Sequence, residues 1–434
     1  MKKKSTSLII SIVFLYCFVS LIFISSNKSY SATKPKIYAG TAKVNITPKV
    51  PIPMSGYGGR NEPFKGVHDD LFARAIVFSD GVNKSAIISA ELIGFSNSYW
   101  EETTKQIEQE TGIKQDYVFL LAVHNHNGPT TRVYGESNAP EVVAYVNELK
   151  EKLVSIVKEA NGNLKPSSIG VGKGECKMNI NRRANDAKGG IALGQNPYGP
   201  CDHEVIAVRV DGEDGNPVAM LINWPCHGVV LGPRNYLITG DWPGAASTFI
   251  ESKLDNKALA LMIIGASGDI NPIYGPHIDF VDNNAYAYGK DAIGIILGEE
   301  VIRITKDIKT SPYGPINAVQ RVINLPEKEG KKPKSLQPDY KPGEGVKVRL
   351  SAIKVGNIIF AGVSGEVFNQ IGVKIKEKSP YNYTLVITHC NGSSGYLVTD
   401  DAYAEGGYEV NSTRVKSGAE KGIIDNLLEM INEL

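Results

Sequence analysis

Several signals are scarce or missing in this chain of 434 residues. Lysine and arginine (47) barely exceed aspartate and glutamate (46), so there is no basic field for nucleic acid and no acidic-tail logic. Neither a low-complexity tract nor an internal repeat interrupts a globular apolar content of 42%. Cysteine is rare, at five residues. Four of them (Cys176, Cys201, Cys226 and Cys390) lie beyond the N-terminal segment, and their spacing matches no zinc-finger pattern. They allow three disulfide pairings if the protein is exported, with buried free thiols as the equal alternative.

Long apolar runs are absent except at the start. Lys2, Lys3 and Lys4 precede an apolar stretch from Leu8 to Ser25, followed by small residues around Ser29, Ser31 and Ala32. This pattern predicts a cleaved export signal over residues 1–31, with an uncleaved anchor as the alternative, and hence a secreted or cell-surface protein. Tyr16 in front of Cys17 excludes a lipid-modified cysteine there. Removing residues 1–31 takes four lysines and no acid, leaving 43 basic against 46 acidic residues, a net charge of −3. Charge announces no partner.

What is present is an alternation of strand-like and helix-like segments in one domain, residues 32–434. Ala86–Glu91 and Tyr117–Val123 read as buried strands, with Ser98 capping a helix between them that ends at Gly112. Pro140–Ala160 is an amphipathic helix closed by Asn161-Gly162. Glu204–Val210 and Val218–Trp224 form a hairpin, and Val346–Val355 with Ile358–Val363 a second one. Leu259–Ile264 and Thr384–Thr388 are further strands. Helices are expected at Ala245–Leu254 behind Pro243, at Ala285–Lys306, at Phe368–Lys378, and from Ser417 onward. Pro326–Gly345 is charged and rich in proline and glycine, a surface loop. Hairpins mixed with helical crossovers predict a layered α/β domain, its mixed β-sheets flanked by helices and its active site on the strand-end loops.

Five loops that follow apolar strands collect reactive side chains. His124-Asn125-His126 comes after Tyr117–Val123, and residues two apart in extended chain face one side. Such a pair is a metal site or a polar turn. His227 follows Trp224-Pro225-Cys226, and Asp241 stands at a helix start where an N-cap belongs. Gly265–Pro272 offers Asp269 and Asn271 among small residues but lacks the Lys-Ser/Thr of a phosphate loop. Glu366 follows Gly365, and Tyr396 and Tyr408 sit in two glycine-containing stretches. Taken singly, each is as well explained as a turn.

The order of these segments is more specific. AKVNITP (42–48), SGYGGR (55–60), GVHDDLFARA (66–75), HNHNGP (124–129), NINRR (179–183), GDWPG (240–244), SGDINP (267–272), GYLVT (395–399) and EGGYE (405–409) recur in the sequence of motifs found in one family. Across residues 38–434 the chain resembles the neutral/alkaline, non-lysosomal ceramidases and their short bacterial relatives. The resemblance implies one zinc ion per chain, held by His124, His227, Glu366 and Tyr396. It also implies His126 beside the water that the metal activates, and Arg182 in contact with substrate. Two imidazoles, a carboxylate and a weakly held phenol leave room for water or a carbonyl oxygen.

Two departures stand out. The family's functional serine falls at Asn271, which cannot be a nucleophile, although its amide can donate to an oxyanion. The C-terminal sandwich domain of the larger ceramidases has no counterpart in this sequence. The resemblance thus implies zinc-dependent cleavage of an N-acyl amide, ceramide foremost, with a lipid or small amide substrate and contact with a membrane surface. A different amide or ester substrate for the same site, or a non-catalytic metal- or lipid-binding relative, are the alternatives.

Overall fold

The apolar strands read from the sequence assemble into two sheets. A computed structural model of the chain describes residues 34–60, 62–132, 139–275, 283–329 and 343–434, with side chains from residue 288 in the fourth stretch. The expected export segment and the middle of the 326–345 loop lie outside the described residues.

The larger sheet has eight strands, in the order Leu259–Ile264, Pro217–Trp224, Glu204–Gly212, Lys165–Glu175, Tyr38–Asn45, Phe72–Ser79, Lys84–Ala90 and Val118–Ala122. Its two outermost pairs are parallel and the inner pairs antiparallel. The smaller sheet runs Ile316–Leu325, Val346–Val355, Ile358–Val363, Tyr383–Ile387, with only the last pair parallel. Mixed sheets follow from the sequence pattern: short Gly/Asp turns make hairpins, while parallel neighbours need a helical crossover.

Side-chain alternation sorts these strands into layers. From Leu259–Ile264, Leu261 and Ile263 join Phe360 and Leu385 of the smaller sheet in one cluster. Met262 and Ile264 point the other way, onto Trp242 and Ile293 of the helices Asp241–Lys253 and Asn283–Thr305. Phe119 and Leu121 likewise face the smaller sheet, while Leu120 and Ala122 pack with helices Asn97–Thr111 and Pro140–Gly162. The outer face of the smaller sheet, through Ile359, Ala361 and Val363, is covered by Asn369–Lys378 and Ala419–Asn432. The result is a helix/sheet/sheet/helix stack, the layered α/β fold expected. Each buried Ile, Leu or Phe in it contributes about 1.5–3 kcal/mol of burial free energy.

Some local expectations change. Ser96, not Ser98, caps the helix Asn97–Thr111, its hydroxyl accepting from Tyr99 N at 3.1 Å. The helix from Pro140 runs through Asn161 to Gly162, because its apolar face continues to Ala160 and nothing blocks the last turn. Four long strands escape the apolar-run reading: Tyr38–Asn45, Phe72–Ser79, Lys165–Glu175 and Ile316–Leu325. All four carry lysine, arginine or asparagine in the interior, which breaks up the apolar run; in Phe72–Ser79 it is Arg74. The four cysteines among the described residues are free thiols, three buried and Cys201 half-buried.

Candidate metal centre and active site

Parallel strands gather their C-terminal ends on one side, and the loops leaving them meet there. The loop after Val118–Ala122 supplies His124 and His126, and the loop after Pro217–Trp224 supplies His227. Beyond Ile358–Val363 comes Glu366, and beyond Tyr383–Ile387 comes His389. A bridge between Asn125 and Gly228 ties the first two loops together, and one between Leu121 and Cys390 ties in the fourth. Glu366 and Tyr396 are register partners in a two-stranded parallel ribbon, Glu366–Val367 with Tyr396–Leu397. Backbone pairing therefore sets the spacing of the side chains that matter.

The histidines are oriented by carbonyl oxygens. His124 Nδ1 lies 2.9 Å from Ile93 O, and His227 Nδ1 lies 2.7 Å from Ser267 O. A carbonyl only accepts, so each Nδ1 carries the proton and each Nε2 is bare. His126 Nε2, 3.1 Å from His124 Nε2, must then be the donor of that pair, which leaves its own Nδ1 bare. That Nδ1 is buried without a hydrogen-bond partner. Glu366 Oε2 is also buried and unpartnered, 3.5 Å from both His124 Nε2 and His227 Nε2, an ion-pair distance too long for a hydrogen bond.

Electrostatics hold these groups in ligand form. Burial, followed by the Arg182 guanidinium, lowers the His227 pKa to about 4. Burial and then His124 push His126 well below the usual histidine range. Burial, the largest single influence, would raise Glu366, but His124, His227 and His389 together outweigh it and leave the carboxylate well below its ordinary value. Burial drives the Tyr396 phenol well above 10, and Arg182 Nη2 donates to its hydroxyl at 3.0 Å.

Two bare imidazole nitrogens and an ionised carboxylate with no proton donor of its own fit a divalent metal. Ligands about 2.1 Å from a tetrahedral zinc stand about 3.4 Å apart, close to the two 3.5 Å separations seen here. His124 and His227 each have the carbonyl partner that usually fixes the ring of a metal-ligating histidine. His124, His126 and His227 form one group whose ligand atoms all lie within 4.8 Å of one another, and His124, Glu366 and His389 form a second.

The motifs account for each other structurally. Arg182 and Arg183 of NINRR clamp Glu409 of EGGYE, with Nε and Nη1 at 2.7 and 3.0 Å from its two oxygens. Arg60 of SGYGGR donates to His126 O and Asn127 Oδ1 at 2.6 and 2.9 Å. Gly268 of SGDINP lies so close to the Glu366–Val367 backbone that a Cβ would come within 2.7 Å of Glu366 O. Asp241 accepts from Asn127 Nδ2 and from the Val230, Leu231 and Trp242 amides, so it fastens the loops as well as its own helix.

A cavity of about 480 Å³ opens onto His124, His126, Glu366, His389, Tyr396 and Tyr408. His227, Arg182 and Asn271 are buried beside it and are not on its wall. Arg182 Nη1 lies 3.2 Å from His227 Nε2 and 3.4 Å from Asn271 Oδ1. All seven residues singled out from the resemblance thus belong to one constellation. Residue-by-residue reading missed His389 and gave Tyr408 no role. A signal for His389 existed: Thr388-His389-Cys390 repeats, in reverse order, the Cys226-His227 pair after an apolar strand.

Comparison with known proteins bears on what this constellation is. A family model described as neutral/alkaline non-lysosomal ceramidase, N-terminal, matches residues 38–277. The chain belongs to this family. Neutral ceramidase of Oryza sativa subsp. japonica is 22% identical over 267 residues, covering 59% of this chain and 34% of that protein. Neutral ceramidase A of Dictyostelium discoideum is 26% identical over 301 residues, 60% of this chain and 41% of that one. Neutral ceramidase of Mycobacterium tuberculosis is 26% identical over 213 residues, 45% and 32%. The chain thus spans between a third and two fifths of the length of these relatives. The crystal structure of neutral ceramidase from Pseudomonas aeruginosa superposes with a TM-score of 0.75 at 16% identity, over 92% of this chain and 74% of that one, which establishes a shared fold.

Proposed function

We propose that this ceramidase-family protein is a zinc-dependent amidohydrolase that cleaves an N-acyl amide bond, with a ceramide-like N-acylsphingosine as substrate. The observation that carries this reading is the convergence of three lone-pair donors, His124 Nε2, His227 Nε2 and Glu366 Oε2, the last of them buried with no hydrogen-bond partner and 3.5 Å from both imidazole nitrogens. Tyr396, paired in register with Glu366, completes the set proposed to hold one zinc ion. A zinc ion in such a site polarises a carbonyl and lowers the pKa of water toward ~7.

The chain's own residues do the rest. Arg182 holds the Tyr396 hydroxyl and, through Glu409, is itself held rigid. It is the cation proposed to contact the substrate. His126, neutral at physiological pH and with a bare Nδ1 in a buried setting, takes up a proton there and returns it to the leaving amine. Asn271 replaces a nucleophile with an amide. Its Oδ1 faces Arg182, and its Nδ2 is the group assigned to hydrogen-bond a developing oxyanion.

The cavity wall favours a second reading for the substrate. Among the described residues, Met54 and Ile93 are the only aliphatic side chains of any length lining it, against Arg132, Arg414, Ser393 and Ser394. That wall suits a shorter, more polar N-acyl amide or ester than a two-chain lipid. Metal analysis of the purified protein combined with parallel hydrolysis of ceramide and short N-acyl amides decides between the two. Turnover of ceramide in preference to the short amides supports the first reading. The reverse order, with about one zinc per chain, supports the second. Absence of bound metal and of turnover would sink both.

A further inference from the structure

Two arginines stand in the wall of the cavity that opens onto the proposed metal site. Arg132 lies beyond His124 on the same segment and is half-buried, its amide donating to Thr130 Oγ1 at 3.2 Å. Arg414 is 8% exposed and follows Thr413, whose hydroxyl donates to the Tyr396 carbonyl at 2.6 Å. Each cation is thus held on a segment tied to a proposed zinc ligand. Among the described residues, Glu366 is the only carboxylate on that wall, and no lysine lines it. Glu366 is committed to the metal, so the wall is cationic. The bias is local, in a chain with 47 basic against 46 acidic residues.

Other buried arginines show how the protein compensates such a charge when it keeps it for itself. Arg74 and Arg182 each place Nε 2.7 Å from a glutamate oxygen. Burial lowers both guanidinium pKa values, but Glu91 and Glu251 more than restore the first, and Tyr396 with Glu409 the second. Arg414 differs. Glu327 Oε1 stands 3.9 Å from its Nε, beyond hydrogen-bond reach, and burial outweighs Glu327 to leave the pKa lowered. A guanidinium buried at a cavity wall with its charge under-compensated is stabilised by an anion that enters the cavity.

We infer that the cavity takes an anionic substrate, an N-acyl amide that carries a carboxylate, which Arg132 and Arg414 hold while the scissile amide lies at the metal site. The inference rests on the zinc-hydrolase reading and sharpens its second form, the shorter and more polar substrate. Guanidinium suits the task, because its planar fork presents paired N–H donors to the two oxygens of a carboxylate. Hydrolysis adds water across the C–N bond and yields a new carboxylate and an amine. The carboxylate that the arginines hold is untouched, and no co-reactant is needed.

Two matched pairs of probes test it, one with the anion on each side of the amide. N-hexanoylglycine is set against N-hexanoylglycinamide and followed by hexanoate release. N-hexylsuccinamate is set against N-hexylpentanamide and followed by hexylamine release. The zinc-loaded full chain is compared with Arg132→Gln, Arg414→Gln and the charge-keeping Arg414→Lys, with zinc content measured for each. The expected result is a kcat/KM at least about tenfold higher for the carboxylate member of one pair or both. That ratio should fall at least about tenfold in each glutamine variant and by less in Arg414→Lys. Should Arg414→Gln fail to fold, because it strands Glu327, the wild-type ratio and Arg132→Gln still decide. Equal rates within both pairs, or faster cleavage of the neutral members, would overturn the anionic class and leave the hydrolase standing. A preference that survives both glutamine substitutions would overturn the role of the two arginines. Bound zinc without turnover of any of the four probes would overturn the inference, and ceramide cleavage by the same preparation would then keep the first reading. Neither zinc nor turnover of any of these compounds would overturn the hydrolase reading as well.

Discussion

Arg74 and His124 are both almost fully buried, 2% and 4% exposed, yet their surroundings are built on opposite rules. Arg74 donates Nε to Glu251 Oε1 at 2.7 Å and Nη1 to Glu91 Oε1 at 2.5 Å. The remaining carboxylate oxygens take Lys43 Nζ and the Phe72 amide at 2.7 and 2.9 Å. Every lone pair there has a proton to meet. Around His124 the reverse holds: bare nitrogens, an unpartnered carboxylate oxygen and few protons to share among them. The first cluster is complete as protein. The second is complete only with something added, and that contrast, rather than burial or charge, separates a structural polar core from a working site.

The contrast breaks most clearly by substitution. His124→Ala or His227→Ala should abolish stoichiometric zinc and lower hydrolysis at least about 10³-fold, while leaving metal-free stability near or above that of the parent. Metal content by elemental analysis, read beside chemical denaturation, checks both halves. Arg74→Met should do the opposite. It strands two buried carboxylates, so unfolding free energy should fall by about 3–5 kcal/mol with metal stoichiometry retained in the folded fraction. If Arg74→Met were neutral, or if His124→Ala unfolded the protein, the division between the two clusters would fail.

Legibility in the sequence follows the same division. Strands buried on both faces, such as Val118–Ala122 and Leu259–Ile264, announce themselves as unbroken apolar runs. Phe72–Ser79 hides because Arg74 interrupts it, and the partners that make Arg74 tolerable, Glu91 and Glu251, lie 17 and 177 residues away. No local pattern carries that distance. The site was readable in its parts but not in its assembly. His124 and His126 share a loop, but only the Asn125–Gly228 bridge brings His227 to them, and only the Glu366–Tyr396 register explains why a carboxylate and a phenol 30 residues apart belong together. The family resemblance supplied that assembly in advance for seven residues. It could not supply His389, which lies outside the motif set.

Acid should sharpen the comparison from another side. Burial comes first among the causes that hold His126, His227 and His389 below the ordinary histidine pKa, with His227 at about 4. The unfolded chain, titrating near 6.5, therefore takes up protons before the folded one does. The stability these groups contribute is fully present above pH ~6.5 and is lost as the pH falls toward the folded value. For His227 alone the loss is on the order of 3 kcal/mol by pH ~4. Asp269, raised to about 6 by burial, works in the opposite sense between about pH 6 and pH 4 and offsets part of it. Denaturation of metal-free protein at pH 7 and pH 4.5 reads the net effect. With Asp269→Asn removing that offset, no fall in unfolding free energy over the interval would mean that the site histidines are not held neutral.

The smallest change to test sits in SGYGGR, where two glycines three residues apart differ in what surrounds them. Gly56 has φ +103°, and a Cβ built there would lie 2.6–2.7 Å from the His126 ring, whereas a Cβ on Gly59 would meet nothing within 4 Å. Gly56→Ala must therefore strain the backbone and displace the His126 ring, without touching a proposed ligand. Because a shift near 1 Å in a reacting group can cost about 10²-fold, kcat should fall by that order while zinc content stays at the parent level. Gly59→Ala should leave both unchanged. Equal effects of the two substitutions would mean that the loop acts through its general flexibility, and His126 would lose its claim to a fixed place beside the metal.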